Sequence, residues 1–121
     1  MKNKKILLID EDENTRIKIK RILTSNGFNV CGEGHDGIDA LEKCESLHPD
    51  LVIMEIVMSY MDGLAVLKAI KKNYPESKIV ICTDMGQKIY VVDAIKSGAA
   101  DFIIKPFQTD RMITTVTKLL K

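Results

Sequence analysis

Charge of one sign is what this 121-residue sequence most plainly lacks: 18 Lys and Arg stand against 17 Asp and Glu, a net +1. Without such a field nothing holds nucleic acid or an anionic membrane, so direct nucleic-acid binding is excluded and a partner must be recognised by shape. Cysteine is scarce and shows no pairing pattern. Cys31, Cys44 and Cys82 are odd in number and form no CxxC, which reads as reduced, buried thiols of a cytoplasmic protein. Long hydrophobic runs are missing too. The apolar stretch Ile6 to Ile9 behind the N-terminal lysines is far too short for a signal-peptide core and ends in acids, and no segment approaches the roughly 20 apolar residues of a membrane span. No Pro/Gly/Ser-rich linker or low-complexity segment interrupts the chain, so residues 1–121 are expected to form one domain around a single core.

What is present is an alternation. Short apolar runs at Lys5 to Asp10, Phe28 to Glu33, Leu51 to Glu55, Lys78 to Cys82 and Asp101 to Ile104 read as strands of a parallel sheet covered on both faces. Helix-period stretches lie between them. The first, about 13 to 25, carries Ile19, Ile22 and Leu23 on one side and stops at Asn26-Gly27. The second, about 37 to 47, starts from an Asp36 N-cap, repeats Ile38, Leu41, Cys44 and Leu47, and ends before Pro49. The third follows Asp62, carries Leu64, Leu67 and Ile70, and ends before Pro75. The fourth, Gly86 to Ser97, is expected to turn Ile89, Val92 and Ile95 inward, with Gly98 closing it and Tyr90 a candidate contact. The fifth, about 109 to 120, stripes Met112, Ile113, Val116, Leu119 and Leu120. Five βα units with right-handed crossovers make a doubly wound α/β domain.

In such a sheet ligands bind beyond the C-terminal strand ends. There the sequence places Asp10, Glu11, Asp12 and Glu13 after the first strand, Glu55 after the third, Thr83 and Asp84 after the fourth, and Lys105 and Pro106 after the fifth. Clustered carboxylates with a backbone carbonyl suit Mg²⁺ completed by water and phosphate oxygens, and Asp10, Glu11 and Glu55 are its candidate ligands. Thr83 and Lys105 are the donors left for a phosphoryl group. Taken singly, acids at a helix start complement its dipole and a lysine is an ordinary surface residue; four such residues on one sheet edge point to a phosphoryl pocket. His35 and His48 lack a second imidazole or thiol at ligand spacing and read as surface or capping residues.

Essentially the whole chain resembles the receiver domains of two-component response regulators. Ile6 to Glu13 with Arg16 is similar to that family's first strand and acidic pair. Leu51 to Gly63 resembles its phosphoacceptor strand and Met-Pro-x-Met-Asp-Gly loop, and Ile79 to Thr83 its hydroxyl strand. Gly98 to Phe107 resembles its Gly-Ala-x-Asp-Tyr/Phe-x-x-Lys-Pro-Phe segment. Asp62 to Leu67 and Met85-Gly86-Gln87 are most similar to sporulation-type regulators.

The resemblance implies a flavodoxin-like (βα)5 fold with strand order 2-1-3-4-5, and a sensor histidine kinase or phosphotransfer protein as phosphate donor to position 55. It implies weakly held Mg²⁺ on Asp10, Glu11, Glu55 and the Val57 carbonyl, with Thr83 and Lys105 gripping the phosphoryl oxygens and Phe102 rotating as a switch with Thr83. It further implies a downstream target or an output domain, no turnover of its own, and homodimerisation as an option.

The chain departs from the pattern in four places: Glu55 for the acceptor aspartate, Glu11 for the second acid of the pair, Ser59 at the loop proline, and Asp84 where Ala or Gly is usual. One extra methylene moves the acceptor oxygens by roughly 1 Å, a misplacement that costs on the order of 10²-fold in rate where in-line geometry matters. The first expectation is therefore a divergent receiver that binds partners with impaired or mimicked phosphorylation. A conventionally phosphorylated receiver is the alternative. A haloacid-dehalogenase-like phosphatase is a third reading, from the DxD start Asp10-Glu11-Asp12, although Asn14 and the lack of a late acidic pair disfavour it.

Overall fold

The computed structural model describes residues 3–59, 61–84 and 87–121. Its elements are β1 (Lys5–Ile9), α1 (Glu13–Ser25), β2 (Asn29–Gly34), α2 (Gly37–Leu47), β3 (Leu51–Met54), β4 (Val57–Met58), β5 (Met61–Asp62), α3 (Gly63–Asn73), β6 (Lys78–Asp84), α4 (Lys88–Lys96), β7 (Asp101–Lys105) and α5 (Thr109–Leu120). Five strands form one parallel sheet in the order β2-β1-β3-β6-β7, which is 2-1-3-4-5 when the sheet strands alone are numbered. The sheet strands run close to their expected bounds, with β6 and β7 continuing to Asp84 and Lys105. The start expected for the fourth helix, at Gly86, lies outside the described residues.

Successive side chains of a strand point to opposite faces, and the core divides accordingly. Leu7, Ile9, Val52, Met54, Ile79 and Ile81 pack with residues of α2, α3 and α4 on one face. Ile6, Leu8, Leu51, Ile53, Val80, Cys82 and Ile103 pack with residues of α1 and α5 on the other. Helix ends follow the local chemistry. Asp36 accepts from Asp39 N at 2.8 Å, and Asp62 from Leu64 N at 3.0 Å and Ala65 N at 3.4 Å, each satisfying donors that a helix start leaves free. His48 closes α2 at φ 48°, in the left-handed region.

One expected stripe holds except at its first residue and another is turned: Leu41, Cys44 and Leu47 of α2 lie in or against the core as expected. In α2 the buried line runs through Gly37, Ala40 and Cys44, so Ile38, about 100° further round the helix, faces out at 59 % exposure. In α4 the residues against the sheet are Val91 and Ala94, while Ile89 (73 % exposed), Val92 (51 %) and Ile95 (42 %) face away from it. Spacing was read correctly there and phase was not. Adjacent apolar stripes have the same period, so spacing alone does not decide which of them meets the sheet.

The segment after β3 was expected to be a plain loop. It folds back as a two-residue antiparallel hairpin, with Val57 opposite Asp62 and Met58 opposite Met61. Gly63 then passes so close to the chain leaving β3 that a Cβ on it would lie 1.9 Å from the Ile56 carbonyl oxygen. Only glycine permits that crossing.

Candidate functional site

The sheet order reverses between β1 and β3, and the register carries both strands to that switch point together. Ile9 pairs with Met54, Glu55 N donates to Ile9 O at 3.0 Å, and Asp10 N to Gly34 O at 3.1 Å. Asp10 and Glu55 therefore leave the sheet side by side, and they are only 6 % and 8 % exposed. Buried carboxylates need a counter-charge or donors. Lys105, the last residue of β7, supplies both: its Nζ donates to Asp10 Oδ2 at 2.8 Å and to Glu55 Oε1 at 3.0 Å.

The remaining oxygens are also committed. Asp10 Oδ1 accepts from Asp12 N at 2.9 Å. Glu55 Oε2 accepts from Ile56 N at 2.8 Å and Val57 N at 3.3 Å. The glutamate's extra methylene gives its carboxylate the reach to curl back over the two amides that follow it. Burial alone would pull the Lys105 ammonium down, but its hydrogen bonds to Asp10 and Glu55, together with their charges, outweigh this and hold it well above its ordinary value. Beneath the cluster, burial pushes the Cys82 thiol up to about 12, an inert group at neutral pH.

Thr83 ends up fully buried near the end of β6, and its Oγ1 has no hydrogen-bond partner among the described residues. A buried hydroxyl without a partner is costly. Phe102 is half-buried on β7, packed against the core, and Asp84 is exposed opposite Lys105 in the register. Val57 is 47 % exposed in β4. On the other side, the Arg16 guanidinium donates to the Asp10 carbonyl and, through Nε, to Glu33 Oε1 at 3.2 Å.

Glu11 departs from expectation. Its side chain does not join Asp10 and Glu55; Oε1 accepts instead from Ser59 N at 2.6 Å. Among the described residues, the group of three His, Cys, Asp or Glu donor atoms lying within 4.8 Å of one another is His35, Asp36 and Asp39. Sequence reading passed over that group because it sought a second imidazole; His35 Nδ1 lies 2.6 Å from Asp39 Oδ2 across an i, i+4 spacing that was visible in the sequence. There the contacts belong to the start of α2.

A doubly wound α/β domain that gathers an acidic pair of strand ends, a lysine and a buried hydroxyl at its switch point is of the receiver class. The chain belongs to the response regulator receiver domain family, whose model matches residues 6–117. It is similar to chemotaxis protein CheY of Bacillus subtilis (46 % identical over 116 residues, 96 % of this chain and 97 % of the relative). It is also similar to chemotaxis protein CheY of Thermotoga maritima (42 % over 118 residues, 98 % of each). Among solved structures, the receiver domain of NtrX from Brucella abortus superposes with a TM-score of 0.88 at 35 % identity, covering 95 % of this chain and 97 % of that one. This assignment replaces the phosphatase reading of the DxD start. Among the described residues no helix is long and apolar enough to cross a membrane.

Proposed function

We propose that this chain is a phosphorelay receiver that works by binding partner proteins, with Glu55 at the phosphoacceptor position as a carboxylate already satisfied by its own chain. One observation carries this reading: Glu55 is 8 % exposed and its two oxygens face Lys105, Ile56 N and Val57 N. An acceptor must present a free oxygen in line with the incoming phosphorus. Here the oxygens are turned into the protein. One negative charge stands near where a phosphoryl group would bring about −1.5 to −2, and it biases the Thr83 and Phe102 element without chemistry. The domain turns over no substrate.

The donor chemistry fits a hard divalent cation. Asp10, Glu11, Glu55 and the Val57 carbonyl would hold Mg²⁺, which when bound neutralises phosphoryl oxygens. Lys105 balances the charge of Asp10 and Glu55, and Thr83 offers its hydroxyl. Partners of the cytoplasmic relay, a histidine kinase or phosphotransfer protein on one side and a target or output domain on the other, meet the surface around α4. An apolar groove of about 510 Å³ between Val92, Ile95, Phe102 and Ile104, with Lys88 and Lys96 beside it, supports that placement. A second copy of the chain is an alternative occupant.

The second reading, conventional phosphorylation on Glu55, is favoured by the Thr83 hydroxyl, which is unpartnered among the described residues. Intact mass after incubation with a small phosphodonor and Mg²⁺ separates the two. An unchanged wild-type mass supports the proposal, and a gain of one phosphate that disappears in Glu55→Gln supports the alternative.

A further inference from the structure

The Glu11–Ser59 hydrogen bond joins two of the four departures from the family pattern. Ser59 N donates to Glu11 Oε1 at 2.6 Å, 48 residues apart in sequence. Proline has no backbone N–H, so the residue usual at position 59 could not make this bond. Glu11 has the longer reach of the two acids and is exposed; the bond draws its carboxylate to the hairpin turn and away from Asp10. A candidate cation ligand is thereby spent on a backbone amide.

We propose that Ser59, through its main-chain N–H, is a positioning residue that lowers the pocket's affinity for a divalent cation by holding Glu11 off the site. The inference rests on the reading of Asp10 and Glu11 as Mg²⁺ ligands. Cation binding and the Glu11–Ser59 bond compete for one carboxylate, so the metal has to break a charge-assisted hydrogen bond before it gains that ligand. The serine hydroxyl takes no part. What matters is whether residue 59 carries an N–H.

Calorimetric titration with MgCl₂ of the full chain, as wild type, Ser59→Ala and Ser59→Pro, tests this. Ser59→Ala keeps the amide and is expected to bind like wild type, while Ser59→Pro binds about tenfold tighter, the scale of one hydrogen bond to a charged group. Should Ser59→Pro fail to fold, the Ser59 amide resonance of the wild type serves: it is expected to move to higher field as Mg²⁺ is added and its bond to Glu11 is lost. Equal affinities in all three proteins, or a Ser59 amide unmoved at saturation, overturn the positioning role and leave magnesium binding intact. Absence of any Mg²⁺ binding in all three overturns the magnesium reading and this inference together.

Discussion

Glu55 and Lys105, fifty residues apart, meet at 3.0 Å between Oε1 and Nζ where β3 and β7 end, with side-chain exposures of 9 % and 18 %. A pair this protected is not screened as a surface ion pair is, and it leaves the carboxylate's other oxygen to the amides of Ile56 and Val57. Glu55→Gln keeps the shape and removes the charge. Its NH₂ must face either the lysine ammonium or those two amides, a donor against a donor. The expected cost is about 1–3 kcal/mol, read as a lower denaturant midpoint at unchanged slope; an unchanged midpoint would show that the pair contributes nothing.

The raised Lys105 ammonium fixes the sign of a pH dependence. A folded-state value above the unfolded one means that the native state holds its proton longer, so this stabilisation is complete below the ordinary value of 10.5 and fades as pH climbs above it toward the folded value. Unfolding free energy should therefore lose this contribution only on the alkaline side of about pH 10. Lys105→Met should lack that portion of the decline. An identical alkaline profile in both proteins would contradict the linkage.

The turned face of α4 is checkable on stability alone. Ile89→Ser and Val92→Ser remove exposed side chains and should change stability by no more than about 0.5 kcal/mol. Val91→Ala, at 7 % exposure, should cost about 1–3 kcal/mol in chemical denaturation. The reverse ranking would restore the inward stripe expected from spacing.

Those residues also mark how far sequence carries. The parallel sheet and the arrival of Asp10, Glu55, Thr83 and Lys105 at its C-terminal strand ends were legible, because continuous apolar runs, caps at Asp36 and Asp62, and acids at strand ends each have a local cause; the strand order came from the family resemblance alone. The phase of α4 was not legible, since Ile89, Val92 and Ile95 repeat as regularly as the positions that face the sheet. Nor was the fate of Glu11: which donor a long, exposed side chain takes depends on where a hairpin 48 residues later sets its amide. The curl of Glu55 onto its own turn has the same origin. Spacing shows that a carboxylate arrives and is silent on the direction in which its oxygens point.

Gly63 permits a chain crossing at the acceptor loop. A methyl group there would lie 1.9 Å from the Ile56 carbonyl oxygen, and that oxygen belongs to the main chain while a Cβ has no torsion by which to move aside. Gly63→Ala should lower stability by about 2 kcal/mol or more and shift the amide resonances of Ile56 and Val57, which cap Glu55. A variant with native stability and unmoved resonances would mean that the crossing is loose.

The most direct test sets two acceptors side by side: wild type and Glu55→Asp are mixed in equal amounts with a small phosphodonor and Mg²⁺, and both intact masses are followed in one spectrum over time. The aspartate variant should gain one phosphoryl group while the wild type gains it on the order of 10²-fold more slowly or not at all. Phosphorylation of the wild type at the rate of the variant would contradict the claim that Glu55 turns its oxygens away from an incoming phosphorus.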